Sequence, residues 1–600
     1  MVPPPPLPVA IPLLVAAALV AGNVRPHRRL ADGTAIACAL VVTALCGLLL
    51  VGSLRGPIVY WFGGWSPRQG IALGVDFAVD PLGAGLATLT SLLVSSAMVF
   101  SWRYFEEIGQ LYAALMMAFL AAMVAFCLTG DLFDLFVFFE LMGVAGFALA
   151  GYEVEEPGPL QGAINFAVTS TVAGFMVLTG IGLLYGRTGA LNLAQIGRSL
   201  SPHPVDGLVV VALLLVTCGF LVKAAAVPFH LWLADAHAVA PTPVCILFSG
   251  VMVELGLYAV WRVYWTVFAP SLGQARAVTG LLVGVGCLTA LLGAVECFRQ
   301  QHLKRLLAFS TVSHAGMFLV GTALLTSSGL AGAAVYVAGH GGVKASLFLC
   351  VGILMHRFRT VDAARLKGRG AAIPVVGGIF ALGGLALGGL PPFGTSLGKE
   401  LIEDAASRSH LSWVAVVLTA ASVLTGGAVL REAGHVFLGL GRLERRPLHE
   451  IQEPETAGPR WRTPLVMVVP AVVLLAAGLV VGVLPGFPAG VEAAAWRFVD
   501  SGAYAAAVLQ GRSPPRVVPA VAGVPGSGTV VLSGASAAGA LLLALLSLYA
   551  PPRLRRGPGR GRLRPAAWFG WAQSGDVTDY VAWLVLGTAV YGLVLALGLR

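Results

Sequence analysis

Apolar runs of 18 or more residues recur along the whole of this 600-residue chain. Each is long enough to cross about 30 Å of hydrocarbon as a helix. That feature leaves few folds open. Backbone N–H and C=O groups find no water inside a bilayer, so a spanning chain forms helices or a closed barrel. A barrel needs alternating segments of about 10 residues, and none is found. The reading is an all-α polytopic membrane protein. Only 11% of residues are charged, against about 25% in soluble domains. The first run, near Leu7 to Val20, follows PPPP without a basic leader, so it is read as a span rather than a signal peptide.

About sixteen spans are expected, the first near 5–22 and the last near 579–598. The basic loops RPHRR (25–29), RQQHLKR (299–305), HRFRTVDAARLKGRG (356–370), 431–463 and PPRLRRGPGRGRLRP (551–565) all follow odd-numbered spans. The positive-inside rule makes that side cytoplasmic and puts both termini outside. The expected localisation is therefore a prokaryotic-type plasma membrane, crossed many times. The organisation expected is N-terminal spans over 1–102, a first five-helix repeat over 103–266 and a second over 267–431. A loop and last core helix follow over 432–486. The remainder, 487–600, is a weakly amphipathic stretch, a Gly/Pro/Val-rich linker and two extra spans.

The net charge of +10 does not point to nucleic acid, because the basic residues sit in loops between spans. The eight cysteines lie in or beside apolar runs without a CxxC pair, so no disulfide framework, iron–sulfur cluster or zinc site is suggested. No Gly-rich phosphate loop follows a strand. The expected cofactor set is none, and any redox chemistry belongs to other subunits.

Ionisable residues inside a membrane cost about 2.5–3.5 kcal/mol each on insertion scales, so each is a functional candidate. Glu140, Lys223, Glu254, His340, Lys344 and Lys399 form the main set, with Lys304, His314, His230, His237 and Glu400 as accessories. Glu296 and Lys304 flank the basic loop 299–305 and are expected to reach the interface. His314 reads equally well as a packing histidine. His340 and Lys344 stand four apart on one helix face, close enough to exchange a proton directly or through one water. His230 and His237 lack a third metal ligand in register.

Two spans are interrupted. Pro228 follows Lys223 by five residues, and the LPPFG of 390–394 precedes Lys399. Proline cannot donate a helical hydrogen bond, and freed backbone groups in hydrocarbon call for a polar, hydrated neighbourhood. Two broken helices about five spans apart point to inverted repeats with ion sites near the midplane.

The stretch VKAAAVPFHLWLADAHAVAPTPV (222–244) resembles the seventh-helix signature of antiporter-like membrane subunits. That superfamily is shared by respiratory complex I, Mrp-type Na+/H+ antiporters (their D subunit) and formate hydrogenlyase-type membrane hydrogenases. GDLFDLFVFFELM (130–142), LKRLLAFSTVSHAGM (303–317), HGGVKASLFL (340–349) and LPPFGTSLGKEL (390–401) match in the family's order. The resemblance implies a core of about 14 helices, a Glu140–Lys223 pair, and a hydrophilic axis through His340 and Lys344 to Lys399. It implies a proton-translocating subunit, with protons or Na+ as cargo and other membrane subunits as partners. The host would be a NADH-quinone oxidoreductase or membrane hydrogenase-type complex, or alternatively an Mrp-type antiporter. Glu254 departs from the lysine or histidine common at its position and opens the reading of a non-conducting scaffold. An autonomous transporter for a small solute would need a roomy pocket, and the sequence offers no aromatic cage.

Overall fold

The computed structural model describes residues 2–22, 28–105, 109–152, 157–441, 463–512, 527–549 and 575–599. The expected basic loop at 551–565, most of 25–29 and 431–463, and most of the linker before 529 lie outside the described residues. Each of the sixteen expected spans is a helix, in chain order Leu7–Ala21, Arg28–Ser53, Pro81–Tyr104, Gln110–Leu128, Leu132–Ala150, Pro157–Thr188, Gly207–Lys223, Thr242–Leu272, Arg276–Arg299, Leu303–Ala323, Ser327–Phe358, Pro374–Leu387, Val414–Leu438, Leu465–Val483, Ser527–Tyr549 and Val577–Gly598. Thirteen are long and apolar enough to cross a membrane alone. The first, seventh and twelfth are shorter; the last two of these are the broken helices, continued by Leu231–Val239 and Gly394–Arg408. The protein is a multi-pass membrane protein.

Polar caps close the helix ends, where lipid offers no partner. Asp80 accepts from the Leu82 and Gly83 N–H groups, Asp131 from Phe133 and Asp134, and Thr326 from Gly329. The helices that carry the charged residues are central: Thr242–Leu272 and Leu303–Ala323 are buried along their whole apolar length, whereas Ser527–Tyr549 and Val577–Gly598 lie at the rim.

Alternation of the spans sorts the connections onto two faces. On one, Asp235 meets Arg305 at 2.5 Å, Arg431 donates to the Phe298 and Gln300 carbonyls, and Asn165 donates to the Gly575 carbonyl. All of these follow odd-numbered spans. On the other, the Ala72 N–H donates to Gln195, Gln274 to the Leu325 carbonyl, and Arg497 to the Leu54 carbonyl. Both ends of the described chain belong to this second face: Val2, the first described residue, lies against Gly52, and Gly598, the last but one, against Ala277.

Three elements on the second face were not anticipated. Ile58–Trp61 and Asp76–Val79 form an antiparallel hairpin, and Leu193–Leu200 is a short helix beside it. The amphipathic stretch forms two helices, Phe487–Val499 and Ser501–Gln510. They are tied down by Arg262, which pairs with Asp80 and stacks 3.9 Å from the Phe498 ring. Buried cations need such partners.

Spans four to eight and nine to thirteen carry matching local features. The Leu132 N–H donates to the Leu191 carbonyl and Leu193 to Gly130; likewise Leu303 donates to Val361 and Ala363 to Gln301. At the breaks, the Ala226 N–H bonds Leu221 and Phe229 bonds Ala226, as Leu390 bonds Leu385 and Phe393 bonds Leu390. Both breaks contain a cis X-Pro bond, and the residue at the sharpest bend has positive φ, 49° at Ala225 and 95° at Gly389. Five spans separate the two sets, an odd number, so matched helices run in opposite directions.

Candidate functional site

Lys223 ends the seventh span and is buried between the fifth and sixth. Its Nζ donates to Ser170 Oγ at 3.1 Å and sits 4.7 Å from the Phe139 ring centroid and 5.3 Å from that of Phe166. Ring faces attract an ammonium, by about 2 kcal/mol when desolvated. Phe166 in turn stacks on Trp232, with centroids 4.4 Å apart. The aromatic surround absent from the sequence reading thus exists, assembled from three helices. It fits a lysine ammonium rather than a solute.

Glu140 is not in direct contact with Lys223. Its carboxylate packs on Gly174 of the sixth span, where a Cβ would collide with it, and its Oε1 has no hydrogen-bond partner. The two groups stand one helical turn apart along the fifth span, since Lys223 Nζ lies beside Gly143, three residues after Glu140. Ser170 therefore holds the ammonium in this conformation.

At the first break the backbone finds partners within the protein. Side chains from three helices take the freed backbone groups. Trp232 Nε1 donates to the Val222 carbonyl at 2.9 Å, the Val227 N–H donates to Thr289 Oγ1 at 3.0 Å, and the Tyr591 hydroxyl donates to the Val227 carbonyl. Two protein donors and one acceptor thus meet backbone groups that lipid could not.

The centre of the site lies between the eighth, tenth and eleventh spans. His340 Nδ1 stands 3.1 Å from Glu254 Oε1, and the rings of His314 and His340 are 5.0 Å apart. His314 Nδ1 shares a 2.9 Å hydrogen bond with the Tyr336 hydroxyl. All four side chains are buried. His314 is thus part of the polar axis rather than simple packing. His340 and Lys344 share a helix face but not a contact: Lys344 Nζ turns to the Leu307 carbonyl at 2.8 Å and to Ser310 Oγ.

Lys304 corrects the sequence reading. It was expected to reach the interface, yet it is fully buried and its Nζ donates to the Ala240 carbonyl at 3.0 Å. Ala240 is the C-cap residue of helix Leu231–Val239, and a cation at a helix C-terminus gains from the dipole. Glu296 does sit at the edge, paired with the partly exposed Arg299 at 2.8 Å. His237 stacks on Phe348, while His230 lines a cavity of about 610 Å³ beside Pro228 and Gly587. The two histidines do not converge.

At the second break, Lys399 Nζ lies 3.8 Å from Glu403 Oε1, and both residues are buried. Glu400 accepts from Ser396 Oγ at 2.8 Å. Glu403 was missed, although its position four residues after Lys399 is the spacing of a helical ion pair. The matched hydrogen bonds also show that the two lysines are not counterparts. Lys223 precedes its break and Lys399 follows; the position matching Lys399 is Asp235, bonded to Arg305 and Tyr580. A further buried group escaped the reading: Glu432, at 2.8 Å from Arg431 and 3.8 Å from His435 Nδ1.

Basic and acidic groups, all buried except the half-buried Glu140, therefore run from Glu140 and Lys223 through Glu254, His340 and His314 to Lys399 and Glu403. Comparison with known proteins fits this arrangement. A family described as NADH:quinone oxidoreductase/Mrp antiporter, transmembrane, matches residues 129–425. The chain is 32% identical over 483 residues to NADH-quinone oxidoreductase subunit N of Desulforudis audaxviator, covering 78% of this chain and 93% of the relative. It is 26% identical over 483 residues to the D subunit of a Na+/H+ antiporter from Bacillus subtilis, covering 79% and 93%. Among solved structures, the Mrp complex of Dietzia sp. matches with a TM-score of 0.74 and 28% identity, over 84% of this chain and 99% of that one. An archaeal membrane-bound sulfane sulfur reductase shares the fold, with a TM-score of 0.74 at 24% identity. This chain belongs to the NADH:quinone oxidoreductase/Mrp antiporter family and is one of its antiporter-like membrane subunits.

Proposed function

We propose that the chain translocates protons as a subunit of a multisubunit membrane complex, with redox or coupling chemistry held by its partners. The observation that carries this reading is the buried axis between the two helix breaks. No solute-sized space opens around Lys223, whose pocket is walled by Phe139, Phe166 and Trp232. Lys223 has two partners in reach of small movements, the neutral Ser170 at 3.1 Å and, one helical turn from Gly143, the carboxylate of Glu140. A buried ammonium that gains and then loses a carboxylate neighbour takes up and releases a proton. Driving one charge against 100 mV requires about 2.3 kcal/mol. A swing of about two pKa units supplies about 2.7 kcal/mol.

In this scheme Lys223 releases its proton towards Glu254, His340 and His314, and Lys399 with Glu403 passes it to the face that holds the chain ends. That face is the outer one, by the distribution of basic loops. The host complex is of the oxidoreductase type, supported by the 32% identity to subunit N. An Mrp-type antiporter is the second reading, supported by the likeness to the Dietzia complex, and it admits Na+ as cargo.

The test is proton uptake into vesicles carrying the assembled complex. Lys223→Ala and Glu140→Ala are each expected to abolish coupled uptake while assembly persists. Lys223→Arg is expected to fail as well, because arginine keeps its proton at any physiological pH. Near-normal uptake by Lys223→Arg would leave Lys223 a fixed charge and remove the mechanism. Mass spectrometry of the purified complex decides the host, by quinone-reductase or hydrogenase subunits against small antiporter subunits.

A further inference from the structure

The two C-terminal spans, read from sequence as an appendage, each seat on one broken helix. Val577–Gly598 packs Gly587 on Pro228 and bonds the Val227 carbonyl through Tyr591. Ser527–Tyr549 packs Ala540 on Gly388 and Gly426 at the second break. There it also brings the Ser536 hydroxyl and the Ser533 carbonyl to the space beside Lys399.

Ser533 and Ser536 stand three apart, on one face of their helix. Both are buried, 0% and 1% exposed, and neither hydroxyl has a hydrogen-bond partner. Serines and threonines inside helices normally bond back to a carbonyl three or four residues earlier. Ser547 of the same helix does so, to Ala544 at 2.7 Å, as does Thr425, to Ala421 at 2.8 Å. At 533 and 536 that option is left unused. The reason lies opposite: a Cβ placed on Gly389 would stand 3.6 Å from each of Lys399 Nζ, the Ser533 carbonyl and the Ser536 hydroxyl. The glycine at the bend therefore leaves a methyl-sized space ringed by three polar atoms. Lys399 Nζ has no hydrogen bond of its own, with Glu403 at 3.8 Å. Such a space suits one water, which needs two to four polar partners.

We propose that Ser527–Tyr549 is part of the translocation path: the Ser536 hydroxyl and the Ser533 carbonyl complete a hydrated pocket through which Lys399 exchanges its proton with the face that holds the chain ends. The ammonium donates to the water, the water donates to the Ser536 hydroxyl or Ser533 carbonyl, and the proton leaves by the water rather than by a serine alkoxide. The other titratable groups facing Lys399 are Glu403 and Glu400 on its own helix, with His314 and Tyr336 on the tenth and eleventh spans. The C-terminal helix contributes no charge there. Its part is to hold the water.

This inference rests on reading Lys399 as a proton carrier, and the experiment separates the two. In vesicles carrying the assembled complex, Ser536→Ala is expected to slow proton translocation at least about five-fold at unchanged subunit stoichiometry. Wild-type rates would overturn the inference. Lys399→Ala is measured alongside: loss of transport there with a normal Ser536→Ala variant sinks only the inference, whereas normal transport in Lys399→Ala sinks the reading beneath it. A second measurement does not depend on the rate itself: the pH dependence of translocation is expected to shift in Ser536→Ala, because the partner of the Lys399 ammonium is changed. A wild-type pH profile in that variant would equally overturn the proposal.

Discussion

Asp76 lies in the hairpin on the second face, and its Oδ1 accepts from Asn192 Nδ2 at 2.8 Å while Oδ2 has no partner. Burial pushes its carboxyl up to about 8, and the nearby Asp131 adds to the shift. A carboxyl raised in the folded state holds a proton there that the unfolded chain has lost, between about pH 4 and pH 8. Stability is accordingly greatest at the acid end of that window and falls as pH rises through it. Asp76→Asn is expected to flatten this dependence and to melt several degrees above the wild type at pH 8.5, checked by thermal unfolding in detergent from pH 5 to 9. A variant whose pH profile keeps the wild-type slope would assign the slope to other groups. Glu254 carries a second prediction. Its carboxylate faces His340 at 3.1 Å in the centre of the axis, so Glu254→Gln is expected to assemble normally and to alter the rate or pH dependence of translocation between pH 6 and 9. Unchanged rates would favour a purely structural role. At this scale the sequence exposes which ionisable residues lie in apolar runs, because each costs free energy to insert. It does not expose their partners. Lys304 and Glu403 looked peripheral or passed unnoticed since their significance comes from the Ala240 carbonyl and from Lys399, neither of which a hydropathy pattern reveals.

The broken seventh helix shows how an element acquires stability that its own residues do not provide. Its freed carbonyls and N–H groups are met by Trp232, Thr289 and Tyr591. Leaving one buried backbone group without a partner costs about 1–3 kcal/mol. Thr289→Val keeps the shape of the side chain but removes the acceptor of the Val227 N–H, so a loss of that order is expected, read as a lower thermal midpoint of the purified protein. An unchanged midpoint would mean that another acceptor takes the N–H over. The interruption itself was legible: Pro228 and Pro391-Pro392 cannot continue a helix. The manner of repair was not, since Thr289 and Tyr591 are 62 and 364 residues from the Val227 groups they bond.

For the whole molecule, the alternation of sixteen spans gathers the connections after odd-numbered spans on one face and the chain ends on the other. With the basic loops cytoplasmic, reporter fusions after Arg564 and after Arg600 are expected to give opposite signals. Matching signals would remove both the count and the antiparallel relation of the two five-span sets. The sequence by itself determined the membrane, the number of spans, the two breaks and the family, because lipid allows no unpaired backbone and so writes every span as an apolar run of fixed length. Local rules of that kind are complete in a short window of residues. Only the tertiary structure decided that Ser170 rather than Glu140 holds Lys223, that His314 joins the axis, and that the last two spans close the breaks. Those outcomes depend on which helix faces meet, and in a membrane meeting faces are chosen by close packing and hydrogen bonds rather than by hydrophobicity, a choice that no single helix encodes.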